Sequence, residues 1–274
     1  MNVLSLFDGM SCGRIALERA GIKVDKYFAS EIDKYAIQVA KANYPDTIHL
    51  GDVQTIEAED GWLETSIKDS DGVERAVQID LLIGGSPCQG FSFAGSQLNF
   101  DDPRSQLFFE YVRLLKELKP TYFLLENVRM SQESQDIISE MLGTQPVAIN
   151  SNLVSAQNRY RLYWTNIPFD TPEDEGIMLK DIIEDGVVDR DKSHCIDANY
   201  FKGGNLKSYF EKRRRQLVFS GDGTDNFRNL TPLECERLQT VPEGYTDHVS
   251  NTQRYKMLGN GWTVDVVKTI FGGI

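Results

Sequence analysis

Apolar residues in the first half of this chain fall in short runs separated by helical patterns, the signature of a parallel sheet flanked by helices. Val3-Leu4-Ser5-Leu6-Phe7 reads as a strand, after which Gly9 and Gly13 open a helix from Arg14 to Ala20 that closes at Gly21. Tyr27 to Ser30 reads as a second strand ending in Glu31, with a helix following through about Lys41. Ile48-His49-Leu50 leads to Gly51-Asp52-Val53, and Ile79 to Ile83 leads into a loop around Cys88. Leu107 to Leu118 fits a helix, and Tyr122 to Leu125 fits a strand ending at Glu126-Asn127. The charged, poorly periodic stretch 54–78 predicts surface loops with a short helix. Farther on, Thr231-Pro232-Leu233-Glu234 predicts a capped helix start with proline at the first helical position, and Trp262 to Ile270 an amphipathic helix. The expected class is α/β with a mostly parallel, Rossmann-like sheet.

Ligands of such open sheets gather at the carboxyl ends of the strands. Asp8, Glu31, Asp52, Cys88 and Glu126 all fall at predicted strand ends, which places five polar side chains on one rim. Cys88 sits in GGSPCQGFSFAG, residues 84–95. Free cysteines are commonly small buried hydrophobes, so Cys88 alone fits core filling as well as nucleophilic attack. Gly84, Gly85, Gly90 and Gly95 give a loop freedom that a packed core thiol does not need, and they favour the displayed nucleophile.

FDGMSCGRIALERAG is a glycine-rich turn after the first strand, without the GxGxxG spacing of nicotinamide enzymes. At the second strand end Glu31 suits a ribose diol, and Asp52 suits an adenine amino group. Acidic residues on the rim and the lack of a phosphate-loop lysine disfavour a phosphate ligand. A cationic adenosyl ligand, S-adenosylmethionine, fits better.

With 274 residues and a formal net charge of -12, the chain has room for one large and one smaller domain, and its bulk charge does not advertise nucleic acid. If DNA is bound, a local patch must contact phosphate. Lys202, Lys207 and the run Lys212 to Arg215 supply one, although a charge run is commonly a solvated face. Cys12, Cys88, Cys195 and Cys235 form no CxxC pair, and none has metal-ligand spacing to His49, His194 or His248, so no metal is expected. His194-Cys195 reads as an incidental pair. A start without a basic leader and the lack of any membrane-length apolar stretch predict a soluble, cytoplasmic, reduced protein.

The ordered set FDGMSCG, Glu31, GDV at 51–53, GGSPCQGFS, LENV at 125–128, QNRYR at 157–161, LTPLECERLQTVPEGYT at 230–246 and MLGNGWTV at 257–264 resembles the DNA cytosine-C5 methyltransferases over essentially the whole chain. In texture it is closest to the catalytic domain of the animal de novo branch, and bacterial and phage enzymes carry such sequences too. The resemblance implies an S-adenosylmethionine-dependent methyltransferase fold, with a catalytic and cofactor domain over 1–166 and a small irregular target-recognition region over 167–254. Residues 255–274 then return to the catalytic domain. It implies cofactor contacts from Phe7, Asp8, Gly9, Cys12, Gly13, Glu31, Ile32, Asp52, Val53, Asn260 and Trp262. Cys88 is implied to attack C6 of a flipped-out cytosine, Glu126 to act at N3, and Arg159 and Arg161 to surround the base.

Contacts to duplex DNA are implied for Gln89, Ser92 and Arg104 on the loop after Cys88, and for Lys202, Lys207, Arg213 and Arg214 in the target region. The segment RSQLFFEYV, with Phe108 and Phe109, corresponds to a subunit-pairing surface of the de novo branch, which implies a homo-oligomer. A role beside a restriction nuclease belongs to the same resemblance. Two other readings stay open: a tRNA cytosine-C5 methyltransferase, and a non-catalytic DNA-binding homologue, against which Cys88, Glu126 and Arg161 argue together.

Overall fold

The computed structural model describes residues 1–65, 76–86, 103–221 and 226–274. In chain order its first strands and helices are β1 (Asn2–Leu6), α1 (Cys12–Arg19), β2 (Lys26–Ser30), α2 (Lys34–Asn43) and β3 (Ile48–Gly51). Next come β4 (Ala58–Glu59), β5 (Trp62–Leu63), β6 (Val77–Gln78), β7 (Leu81–Gly84), α3 (Pro103–Leu118), β8 (Tyr122–Val128), α4 (Gln132–Leu142), β9 (Val147–Asn150) and β10 (Tyr160–Thr165). The remainder holds α5 (Leu179–Ile182), α6 (Leu206–Lys212), β11 (Leu217–Phe219), β12 (Phe227–Asn229), α7 (Pro232–Leu238), α8 (Asn251–Asn260) and α9 (Val264–Phe271).

Seven strands form one sheet in the order β3-β2-β1-β7-β8-β10-β9. β1, β2, β3, β7 and β8 run parallel, and β10 is antiparallel to both of its neighbours. Strands covered on both faces read as near-continuous apolar runs. Alternate residues of β1 and β7 accordingly enter opposite cores: Val3, Leu81 and Ile83 pack with residues of α1 and α9, whereas Leu4, Leu6 and Leu82 pack with residues of α3 and α4. This is the expected mostly parallel α/β architecture.

Three local expectations need correction. Residues 54–78 hold a short helix, the 3-10 turn at Val53–Thr55, but where loops were expected the described residues form the three-stranded antiparallel sheet β4-β5-β6. Strands of two residues are too short to show a period of two in sequence. Glu126 is not at a strand end but inside β8. Parallel pairing with β7 stops at Gly84 and Leu125, while antiparallel pairing with β10 carries β8 on to Val128. Phe108 does not lie on a pairing surface, because its side chain is fully buried in the core under α3, with its ring 5.6 Å from the half-buried Phe109.

The stretch 167–254 packs in two ways. A small cluster of Tyr209, Leu217 and Phe219 lies apart, built from α6, β11 and β12. By contrast Leu179, Ile196, Tyr200, Leu238, Val241 and Tyr245 join the core on one face of the seven-stranded sheet. The start of α7 carries the capping box anticipated at Thr231 and Glu234. Among the described residues no helix is long and apolar enough to cross a membrane, and no group of three or more His, Cys, Asp or Glu side chains is arranged to hold a metal ion.

Candidate active site

The turn after β1 is contorted. Phe7, Gly9 and Ser11 have φ of 56°, 59° and 65°, a left-handed region that bulky residues such as Phe7 seldom occupy. Strain of this kind gathers at functional sites. Glu31, just after β2, holds the turn in place: its carboxylate accepts the backbone N–H of Gly9, Ile32 and Asp33, each at 2.8 Å. Asp52 follows β3 and accepts the Gln54 N–H at 3.0 Å. Asp8 accepts hydroxyl hydrogen bonds from Ser11 and, at 2.7 Å, from Tyr27. Burial pushes the Asp8 carboxyl up to about 6, opposed by its hydroxyl donors and reinforced by the charge of Glu31.

These residues open onto a cavity of about 480 Å³, inside the range of small-molecule sites. All eleven positions singled out from the sequence for a cofactor line it, together with Glu126, Arg159 and Arg161. Ile32 presents a side chain that is 75% exposed, an aliphatic surface available to a flat ring at the cavity edge.

On the inner wall, Glu126 Oε1 meets Arg161 Nε at 2.9 Å, with side chains only 10% and 14% exposed. Burial pulls the Arg161 guanidinium down, but the Glu126 charge, with Cys195 and Tyr163 beside it, holds it above its ordinary value. The Trp262 indole N–H donates to Glu126 Oε2 at 3.1 Å. Asn127, beside Glu126, donates to the carbonyl and hydroxyl of Ser86, both at 3.3 Å, and so ties the end of the β7 segment to the same wall.

A family model described as C-5 cytosine-specific DNA methylase matches residues 1–164 and 135–274. The chain belongs to that family. The type II methyltransferase M1.ScrFI of Lactococcus lactis subsp. cremoris is 30% identical over 98% of this chain and 76% of its own length. The orphan methyltransferase M.SPRI of Bacillus phage SPR is 33% identical over 68% of this chain and 43% of its own. Among solved structures, the Dnmt2 methyltransferase of S. pombe superposes with a TM-score of 0.73 at 20% identity, covering 99% of this chain and 97% of that one, which is a likeness of fold.

In this DNA cytosine-C5 methylase Arg159 and Arg161, two residues apart, have different surroundings. Arg159 is 2% exposed and donates to Cys195 Sγ (3.2 Å), Ile196 O (3.0 Å), Gly259 O (3.2 Å) and Gly261 O (2.8 Å), while its Nε finds no partner. Burial draws this guanidinium down from its ordinary value, and the charge of Arg161 adds to the effect. Arg159 thus ties the segment at Cys195 and Ile196 to the end of α8 and the turn after it, which carry Asn260 and Trp262. Close packing seals the junction: a Cβ on Gly259 would fall 2.2 Å from the Asp197 carbonyl carbon.

Cys88, Gln89 and Ser92, and the side chain of Arg104, lie outside the described residues. Lys202, Lys207, Arg213 and Arg214 are exposed on the methylase's small cluster region, where Arg214 pairs with Asp197 at 3.0 Å. The fourth member of the basic run, Arg215, instead donates to the Gly203 carbonyl.

Sequence reasoning overlooked Gln157, Gln239 and Cys195. Gln157 and Gln239 are fully buried and hydrogen-bonded to each other at 2.9 Å, and Gln239 also donates to the Leu258 and Gly261 carbonyls. Fully buried glutamines must find partners, so their positions inside QNRYR and ERLQTV were the available signal. Cys195, read as incidental, is a contact of Arg159.

Proposed function

We propose that this methylase holds S-adenosylmethionine in the cavity at the strand ends and methylates C5 of a cytosine flipped out of duplex DNA, with Cys88 as the nucleophile. One observation carries the reading: the residues suited to an adenosyl ligand and the Glu126–Arg161 pair line one continuous cavity. The cavity fits the cofactor chemically. Asp8, Glu31 and Asp52 make it acidic, and Ile32 and Trp262 add apolar surface. In this reading Glu31 receives ribose hydroxyls, Asp52 the adenine amino group, and Asp8 faces the cationic end. When bound, the group supplies a methyl carbon on a sulfonium.

Cytosine C5 is a poor nucleophile in an electron-poor ring. Addition of the Cys88 thiolate to C6 pushes the electron pair toward C5, dividing a hard reaction into two easier ones. Glu126 shares a proton with N3 while its other oxygen accepts from the exocyclic amine, stabilising the ring as it accepts electrons and taking the proton back when the ring is restored, and Arg161 fixes the carboxyl's orientation. Once C5 carries the methyl group, loss of the C5 proton to solvent and departure of Cys88 restore the aromatic ring. The base must leave the duplex for any of this. Lys202, Lys207, Arg213 and Arg214, with Gln89, Ser92 and Arg104, contact the DNA that remains.

Labelled methyl groups are expected to enter duplex DNA at cytosine C5, with bisulfite sequencing of DNA from an expressing host showing a single sequence context. Incorporation into tRNA and not DNA would establish the RNA alternative, and a protein that binds DNA without incorporation would establish the non-catalytic one.

Cofactor affinity is also expected to depend on pH. A cation in the cavity favours ionised Asp8, and the proton competes with it, so binding releases protons and tightens as pH rises through about 6. Titration calorimetry between about pH 5 and 7.5 should show a gain of roughly 3- to 10-fold, on the tenfold-per-unit scale of such linkage. S-adenosylhomocysteine, without the sulfonium charge, should gain less, and Asp8→Asn should flatten the dependence.

A further inference from the structure

Glu126 is gripped from two sides, and one of them belongs to the cofactor cavity. Arg161 takes Oε1, while Oε2 accepts the indole N–H of Trp262, a residue from the turn between α8 and α9 that lies 136 positions away in the chain. The contact has a built seat. A Cβ on Gly85 would fall 2.9 Å from Trp262 Nε1 and 3.1 Å from Glu126 Oε2, so a side chain there would force donor and acceptor apart. Both neighbours of Trp262 are anchored as well: the Gly261 carbonyl accepts from Arg159 at 2.8 Å and from Gln239 at 3.0 Å, and the Thr263 hydroxyl donates to Gln239 Oε1 at 3.0 Å. An aromatic residue that merely filled the core would need none of this.

We propose that Trp262 is a positioning residue for Glu126. Its indole N–H sets the orientation of the carboxyl toward the base, and it couples that orientation to the cofactor cavity of which the same indole is a wall. The proposal rests on reading this centre as the methyl-transfer site. Arg161 and Tyr163 face Glu126 from β10, Arg159 from the residue before that strand, and Cys12 from the start of α1. The Trp262 N–H is a neutral donor in this set. A hydrogen bond to one carboxyl oxygen fixes the plane of the group and so the direction of the other. Removing it frees the carboxyl to turn away from the base.

The test uses the full chain and Trp262→Phe, which keeps an aromatic wall and removes the donor. Expected is a fall in kcat of about 10-fold with the cofactor KM within about 3-fold, since a lost hydrogen bond to a carboxyl acts on this scale. Binding provides a readout apart from turnover. Glu126→Gln should change the calorimetric Kd of S-adenosylhomocysteine about 3-fold or more in the Trp262 protein and leave it unchanged in the Trp262→Phe protein.

An unchanged kcat in Trp262→Phe, or the same Glu126→Gln effect in both backgrounds, overturns the proposal. Should Trp262→Phe fail to fold, benzothienylalanine at position 262, which has the indole shape without the N–H, takes its place. If the wild-type chain methylates no cytosine, the functional reading fails while the binding cycle still reports on the Trp262–Glu126 coupling. If it methylates and the cycle shows no coupling, only the positioning role fails.

Discussion

Cys88→Ala is expected to abolish methyl transfer while cofactor and DNA binding persist. In the proposed mechanism the Cys88 thiolate makes the covalent bond that turns C5 into a nucleophile. Loss of a nucleophile in other enzymes costs on the order of 10⁴-fold or more in kcat, and that scale applies here. Cys88→Ser should be nearly as inactive, because a hydroxyl is scarcely ionised at neutral pH. Labelled-methyl incorporation measures the rate, and calorimetry with S-adenosylhomocysteine together with gel shift on duplex DNA measures binding. Turnover within about 10-fold of wild type would refute the covalent mechanism. Lost binding together with lost turnover would instead give Cys88 a structural part.

Glu126→Ala should damage both activity and stability. Removing the carboxylate leaves the Arg161 guanidinium, only 14% exposed, without its ion-pair partner. Breaking one side of a buried pair costs about 3–5 kcal/mol, and the opening of the cavity to solvent places this pair at the lower end. For a chain of this size that lowers the thermal midpoint by roughly 6–12 °C. Loss of a positioned acid or base costs kcat roughly 10²- to 10⁴-fold. Glu126→Gln separates the two effects, since the amide oxygen still accepts from Arg161 or Trp262: activity should fall as far, stability much less. Scanning calorimetry and single-turnover rates read the two quantities independently. An alanine variant with wild-type midpoint and rate would remove Glu126 from both roles.

The cavity was largely legible in the sequence because its parts are local. Glycines after an apolar run mark the turn at residues 7–13, and an acid directly after the second and third apolar runs marks Glu31 and Asp52. Glu126 was legible as a rim residue yet misjudged as a strand end, since nothing in Tyr122 to Asn127 announces that β10 will extend the strand from its other edge. Lys202, Lys207, Arg213 and Arg214 were visible as a run, but the pairing of Arg214 with Asp197, and the use of Arg215 on the Gly203 carbonyl, depend on how α6 ends.

QNRYR shows most plainly where local reading stops. Two arginines two residues apart read as a pair around one base. In the fold Arg161 lies within β10 and faces Glu126, while Arg159 lies just ahead of the strand and serves the carbonyls of Ile196, Gly259 and Gly261. By itself the sequence determined the family, the parallel sheet and the rim of acids, because periodicity, glycine turns and strand ends are encoded within a few residues. Only the tertiary structure decided which arginine faces Glu126, that Cys195 contacts Arg159, and that Trp262 reaches the Glu126 carboxyl. Each of those depends on hydrogen bonds between segments 35 to 136 residues apart, and such bonds exist only once the sheet has brought the segments together.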